Sequence, residues 1–527
     1  MSSASIAVNS PSSSNHFIKD GVTSVNVNRL CSFSFESGLF GSKIPTKKLS
    51  RSVNGTRPTR PERISYSGLE PVKASSRSFD VVIVGAGVIG LTIARKFLTR
   101  SDLSVAVVDK AVPCSGATGA GQGYIWMVHK NPASETWELT KRSHQLWKML
   151  AETIRDQGMD PLQVLGWKKT GSLLVGRTPE DSVMLRKRVS QLSEAGVRAE
   201  YLSADELHSK EPAIYVGTDG GAAFAPDDCQ LDAHQAVSYI EKTPMIYRLT
   251  DLLHRKADMQ SSIMSQLQFR STSSGEFEAV RTSNNTLYGK AIVVAAGCWS
   301  RSLMHDLFKG SHIQLDALVM PRKGHLLVFE NFNPLQLNHG SMEVGYVDYQ
   351  NATFPLGLDD QSQTLSVSMT ATIDMMGNLV LGSSRQFAGF STEVDDSIVL
   401  HIWKRAGEFF PILKEPSLTD FVKNRKVRVG LRPYMPDGKP VIGNVPGLSN
   451  LFLATGHEGG GLSLVTFLSS VPYSGNFYIV PFRNKQYGSF SFVCNLALGT
   501  AEMVVDMILG NATYVDSSPF AAQGRCC

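Results

Sequence analysis

Apolar and polar positions alternate along this chain with two different periods, and the changes of period mark its elements. VVIV at 81–84 is a short apolar run, the pattern of a strand buried on both faces. Val88, Ile89, Leu91, Ile93, Ala94, Phe97 and Leu98 then recur at helical spacing, and VAVV at 105–108 is a second buried strand. From about 133 to 200 the pattern predicts helices with polar faces (SETWELTKRSHQLWKMLAETI and PEDSVMLRKRVSQLSEAG), with a strand, GSLLVGR at 171–177, between them. Strand character returns over 276–297 (FEAVRTS, LYGKAIVVAAG). HLLVFE at 325–330, TLSVSMTAT and GNLVLGSS at 377–384 read as strands of an antiparallel sheet, and HIWKRAGEFFPIL reads as a helix. Strands of a second sheet are thus interleaved with returns to the first, which predicts an α/β chain of two domains, each built from discontinuous segments.

The pattern breaks at 465–495. Without that stretch, GHEGGGLSL would join LALGTAEMVVDMILG in one unbroken helical pattern. The intervening VTFLSSVPYSGNFYIVPFRNKQYGSFSFVCN is aromatic and proline-bearing. It reads as an insert of alternatively spliced or intron-derived sequence.

Gly85, Gly87 and Gly90 form G-x-G-x-x-G between the first strand and its helix, and Asp109 ends the next strand. Together these meet the conditions for a dinucleotide-binding βαβ unit of the Rossmann type. Gly85 makes the tight turn, Gly87 lets the backbone approach a pyrophosphate, and Gly90 lets the helix pack on the strand; Ala86, Val88 and Ile89 complete the turn. Asp109 is placed to accept hydrogen bonds from ribose hydroxyls, with Lys110 beside it. The loop CSGATGAGQGY, with Ser115, Thr118, Gln122 and Gly123, follows at once. Ala296 and Gly297 end the strand AIVVAAGCWS, and GHEGGG brings His457, Glu458, Gly459 and Gly460. Four separated small-residue sites on one ligand suit the long FAD molecule better than NAD.

GAGVIG with Asp109, the SGATGAGQG loop, VVAAGCWS and RVGLRPYMPDGKPVIGNVPGLSNLFLATGHEGGG together resemble the FAD-dependent oxidoreductases of the D-amino acid oxidase type, over about 79–515. That superfamily includes glycine, sarcosine and hydroxyproline oxidases and dehydrogenases. The resemblance implies a Rossmann-type FAD domain, mainly 78–130, 200–300 and 425–515. It implies a discontinuous substrate domain on an antiparallel sheet, mainly 131–199 and 301–424. The implied reaction oxidises the C–N bond of a small amine or amino acid to an imine, with hydride moving to flavin N5, an acceptor that is oxygen or a carrier, and no catalytic acid–base pair. Arg432, the arginine of GLRP, matches arginines that hold a substrate carboxylate, although it also suits a brace on the loop or a flavin contact. Tyr434 adds a phenol or packs on the substrate. Asp437 and Gly438 read as turn residues. His457 and Glu458 fall where the family's loop passes the pyrimidine end of the flavin, where backbone N–H groups stabilise its N1/O2 edge; a purely structural histidine is the other reading. Some glycine-oxidising relatives carry an arginine in this loop, so Glu458 argues against glycine itself. GLRPYMPDG lacks the cysteine that attaches flavin in sarcosine-oxidase-like members, which implies non-covalent FAD. In MPRKGHLLVFE, Lys323 or His325 lies near the flavin or on a solvated strand edge. Residues 243–275 lack the compact strand-turn-strand of the family. A flavoprotein serving as an assembly or scaffold factor is the alternative function.

Composition narrows the picture further. At 42% hydrophobic and 19% charged residues the chain suits a globular protein, and it has no long apolar run of membrane-spanning length. The net charge of +5 is too mild to point to nucleic acid. Seven cysteines, with no C-x-x-C pair, argue against a disulfide framework or a metal site and for a reducing compartment. Residues 1–77 are Ser-rich, with scattered Lys and Arg and only Asp20, Glu36, Glu62 and Glu70 as acids. This is transit-peptide composition, leaning to the plastid over the mitochondrion, with a regulatory tail as the other reading. Residues 516–527, ending in Cys526 and Cys527 without a prenylation pattern, read as an exposed tail.

Overall fold

The computed structural model describes residues 75–111, 113–241, 268–271, 277–281, 285–308, 319–330, 332, 334–346, 365–414, 425–461 and 496–525. The expected leader up to 74, the expected insert at 465–495 and most of the irregular 243–275 stretch lie outside the described residues.

The first sheet is built from the apolar runs. Its central strands are parallel, in the order Val105–Val108, Ser75–Val84, Asn285–Val294 and Leu451–Thr455. Val441–Asn444 closes one edge antiparallel, and Phe277–Arg281 with Gln268–Ser271 adds an antiparallel ribbon on Asn285–Val294. Continuous apolar runs fit here because both faces of such a sheet are covered. On one face the helix Val88–Arg100 packs against Ala497–Leu509, and Trp137–Asp156 completes the layer, with Ile93, Phe97, Leu139, Trp147, Ile154 and Val504 in one cluster. Gly499 permits this approach, since a Cβ there would lie 3.1 Å from the Leu139 carbonyl oxygen. Glu502 ties the three helices, accepting from Lys96 at 3.1 Å and from Arg142 at 2.7 Å. Helix therefore follows Leu496, as the pattern beyond the break predicts.

The second sheet has eight strands, in the order Arg425–Tyr434, Met320–Phe329, Leu379–Arg385, Ser366–Ile373, Gly340–Glu343, Ser172–Gly176, Gly221–Ala225 and Glu200–Ser203. All pairs are antiparallel except Gly340–Glu343 with Ser172–Gly176. Leu327, Phe329, Met369, Leu379 and Leu381 turn one face toward the helix Asp396–Phe409, where Ile398, Ile402 and Trp403 meet them. The helix is capped by Asp395, whose side chain accepts from Ser397 and Ile398 N–H.

Four segments differ from the expected division. Glu200–Ser203, Gly221–Ala225 and Arg425–Tyr434 are strands of the second sheet, because their ladder partners lie there. Trp137–Asp156 belongs with the first sheet, because its apolar face is buried on the Val88–Arg100 layer. Hydrophobic period identifies a strand or a helix; it does not say which sheet receives it.

Candidate active site

The first wall of the site is the turn before Val88. Gly85 has φ +116°, and a Cβ on it would lie 2.3 Å from the Ala295 carbonyl oxygen of the neighbouring strand. A Cβ on Gly90 would lie 1.9 Å from the Gly85 carbonyl oxygen, so the helix sits where only glycine allows. Gly87 is the N-cap of the helix without a capping side chain, and the first turn holds no acid. One of the four N-terminal N–H groups, that of Val88, donates to Thr118 Oγ1 at 3.1 Å. The positive end of a helix thus opens on a cradle from which side chains are missing, the arrangement that fits a pyrophosphate.

Asp109 forms the next wall. Its Oδ2 accepts from Ala86 N–H at 2.6 Å and its Oδ1 from Ala111 N–H at 2.9 Å. Burial pushes its carboxyl above the usual range, while those two N–H groups oppose the rise. Lys110 lies 3.2 Å from the centre of the Trp299 ring, and burial lowers its ammonium. Gly85, Gly87, Ile89, Asp109, Lys110, Ser115, Thr118, Ala296, Gly297 and His457 line one continuous cleft. Ala86, Val88 and Gly90 build the turn behind it. The glycine cradle, the open helix end and Asp109 fit FAD, and no cysteine is among the residues that line the cleft.

Five expected residues, Gln122, Gly123, Glu458, Gly459 and Gly460, stand elsewhere than on that cleft wall. Gln122 is committed to the second sheet: its Nε2 donates to the Val380 carbonyl at 2.9 Å and its Oε1 accepts from Thr370 at 2.6 Å. With a bond at each end of its amide, Gln122 locks the loop to the sheet. Gly123, at φ +73°, turns the chain there, and its carbonyl accepts from Leu231 N–H at 2.8 Å. Gly459 and Gly460 lie in the short helix Glu458–Gly461. His457 Nε2 pairs with Thr500 Oγ1 at 3.0 Å, tying the loop to Ala497–Leu509; burial lowers its pKa to about 3, so it is neutral.

The cleft reaches Pro433, a residue of the second sheet. Arg432 and Tyr434 flank that proline, and Arg432 faces Arg322 directly across the ladder. Arg432 donates one Nη1 hydrogen bond to the Ser384 carbonyl at 3.0 Å. Its guanidinium lies flat on Gly324, where a Cβ would come within 2.7 Å of Cζ. Arg322 is ion-paired to Glu458 and lies over the Tyr434 ring at 4.7 Å. Arg385 covers the Tyr346 ring at 4.1 Å, and the Tyr346 and Tyr124 hydroxyls are 3.2 Å apart. Burial raises the Tyr346 phenol, but Arg385, Arg432 and the Tyr124 hydroxyl oppose the rise and bring it to about 8.

Lys323 and His325 are neither on a solvated edge nor in the cleft lining. Both are buried, and His325 is spent as a brace, pairing with the Ser384 hydroxyl at 3.0 Å and accepting from Asp395 N–H at 3.2 Å. The residues missed in their place are Arg322, Arg385 and Tyr346. For Arg322 a signal existed: positions 322 and 324 share a strand face, and the flat glycine at 324 makes room beside it.

The comparisons with known proteins agree with this geometry. Residues 80–469 match the family model described as DAO, FAD dependent oxidoreductase. A glycine oxidase of Geobacillus kaustophilus is 25% identical over 394 residues, spanning 73% of this chain and 89% of that protein. A glycine oxidase of Pseudomonas aeruginosa is 23% identical over 457 residues, spanning 84% of this chain and 99% of that one. The solved structure of the Geobacillus kaustophilus glycine oxidase superposes with a TM-score of 0.62 at 21% identity, covering 85% of this chain and 99% of that chain. With the family model spanning most of the folded part, and a cradle that fits its cofactor, the chain belongs to the DAO family of FAD-dependent oxidoreductases.

Proposed function

We propose that this chain oxidises the C–N bond of a small amino acid to an imine, with Arg432 holding the substrate carboxylate. One observation carries the reading: the cleft that begins at the glycine turn reaches Pro433, and the residue before that proline in its strand is Arg432, a guanidinium with no ion pair among the described residues. A planar guanidinium braced on one side by Ser384 and Gly324 keeps its other edge for bidentate contact with a carboxylate. Tyr434, packed edge-on to Phe387 at 5.2 Å, and Tyr346 under Arg385 wall the site with aromatic surface. The glycine turn, the open helix end and Asp109 would hold FAD, which would supply the two-electron acceptor for this oxidation. The protein's own part is to bind and orient, and no proton-transferring pair is needed for that step. Both relatives compared by sequence are named glycine oxidases, which supports a small amino acid, while Glu458 in the loop argues against glycine itself. For the leader, we infer plastid import from its Ser-rich, acid-poor composition.

The test is product formation. FAD-loaded protein is incubated with glycine, sarcosine, L-proline and hydroxyproline, and the oxo acid, aldehyde or cyclic imine is measured. Oxidation of at least one is expected. A bound flavin with no product from any of them favours the scaffold reading instead. Import of a reporter fused to residues 1–78 into isolated plastids, against mitochondria, tests the location.

A further inference from the structure

Beside the cleft, one cluster holds three buried polar atoms without a hydrogen-bond partner among the described residues: Arg322 Nε, the Tyr434 hydroxyl and Glu458 Oε2. They belong to one assembly, since Arg322 pairs with Glu458 Oε1 and lies over the Tyr434 ring. The Arg322 and Glu458 side chains are only 5% and 19% exposed. Protein interiors pair such atoms almost without exception, so three in one cluster mark a place that a ligand completes.

The backbone adds an independent sign. Glu458 has φ +47°, a left-handed conformation uncommon outside glycine, yet the three residues after it are glycines and this one is not. A carboxylate kept at that position is there for its side chain. Arg322 engages Oε1 and leaves Oε2 as an acceptor. Across the ladder from Arg322 stands Arg432, whose guanidinium has no ion pair among the described residues. An acceptor on the Glu458–Gly461 helix, held by Arg322, and a cationic fork opposite Arg322 in the ladder match the two ends of an amino acid.

We propose that Glu458 recognises the amine of the substrate: its Oε2 accepts a hydrogen bond from the substrate N–H while Arg432 takes the carboxylate and Arg322 holds Oε1 in place. The proposal rests on the amino acid reading above and narrows it to carboxylates that carry an N–H donor. Ethers and esters of the same shape lose that contact and leave a buried acceptor unpaired. Glu458 is here a specificity-determining residue, with no step of the oxidation assigned to it.

The test uses isosteric pairs on the FAD-loaded full chain, without oxygen: sarcosine against methoxyacetate, and L-proline against tetrahydrofuran-2-carboxylate. Amine affinity is read from the saturation of flavin reduction or from the shift of the flavin spectrum; ether affinity is read from the spectral shift. Wild type is expected to bind each amine at least about tenfold more tightly than its ether, the scale of a hydrogen bond to a charged group. Glu458→Gln, with bound flavin confirmed by absorbance, is expected to weaken the amines about tenfold and leave the ethers within about twofold. Equal weakening of both members, or no weakening of the amines, overturns the proposal. If Glu458→Gln loses its flavin, the wild-type ratio decides: equal affinity for amine and ether overturns the proposal, even where amines still reduce the flavin and the amino acid reading stands. Failure of wild type to bind any of the four overturns both together.

Discussion

The two ends of the cleft are made in opposite ways. At the nucleotide end the decisive feature is missing atoms: glycines at 85 and 90 leave room for a carbonyl that a Cβ would strike, and an uncapped helix end supplies backbone N–H groups. At the sheet end the decisive features are side chains beside Pro433, with Arg322 more than a hundred residues from Arg432, Tyr434 and Glu458 along the chain. A ligand's phosphates need only a local turn, which three glycines in a row of six specify. Discrimination between substrates needs groups set against one another across a ladder, and register decides which groups those are.

The contrast predicts effects of different kind and size. The largest is at the turn. Gly90→Ala puts a methyl where the Gly85 carbonyl oxygen stands, and neither backbone can yield cheaply. We expect a loss of about 3 kcal/mol in stability and protein that purifies without flavin, read by melting temperature and flavin absorbance. Retained flavin would show that the turn is more forgiving than its geometry. Next is Arg432→Ala, which leaves the turn untouched. FAD should remain bound while the KM for carboxylate substrates rises about 30-fold or more, the loss of a charge-assisted hydrogen-bonded pair. Loss of FAD instead would make Arg432 a structural brace and erase the contrast.

A smaller effect tests the seam between the two ends. Gln122→Leu removes the amide that joins the glycine loop to Val380 and Thr370 and deprives the Val380 carbonyl and the Thr370 hydroxyl of that partner. A destabilisation of about 2 kcal/mol by denaturant titration is expected, with flavin content preserved. The smallest concerns Glu502, behind the turn and away from the cleft. Burial raises its carboxyl, but Arg142 and Lys96 outweigh burial and hold it below the usual range. Its contribution is therefore fully present above the unfolded pKa of an ordinary glutamate and is lost as pH falls through the lowered folded value. Glu502→Gln should cost about 1 kcal/mol at neutral pH and flatten the acid limb of a stability-against-pH curve. An unchanged acid limb would mean that the helix layer does not depend on this pair.

The same contrast explains what was legible in the sequence. The βαβ unit with Gly85, Gly87, Gly90 and Asp109 was readable, because strand, turn and helix are contiguous and each carries a local signal. The helix after Leu496 was readable from its period alone. The sheet that receives Arg425–Tyr434 was not, because pairing with Met320–Phe329 joins positions about a hundred apart and leaves no mark in either run. That Gln122 also joins the glycine loop to the second sheet could not be read, because its partners there, Val380 and Thr370, come from far along the chain. Lys323 and His325 drew attention as charged residues after a proline, yet they point to the buried side that packs on the Asp396–Phe409 helix, while Arg322 stands on the opposite face. Arg385 and Tyr346 had no signal in their own segments, since each matters only through the other.

The measurement that tests the account most directly is anaerobic reduction of the bound flavin by amino acids. Protein starting near Ser75 is loaded with FAD and mixed, without oxygen, with sarcosine, L-proline and hydroxyproline in turn. The account predicts that at least one bleaches the flavin band fully at saturating concentration, and that Arg432→Ala, still yellow, needs far more of it. A flavin that stays oxidised with all of them, yet bleaches at once with dithionite, would contradict it.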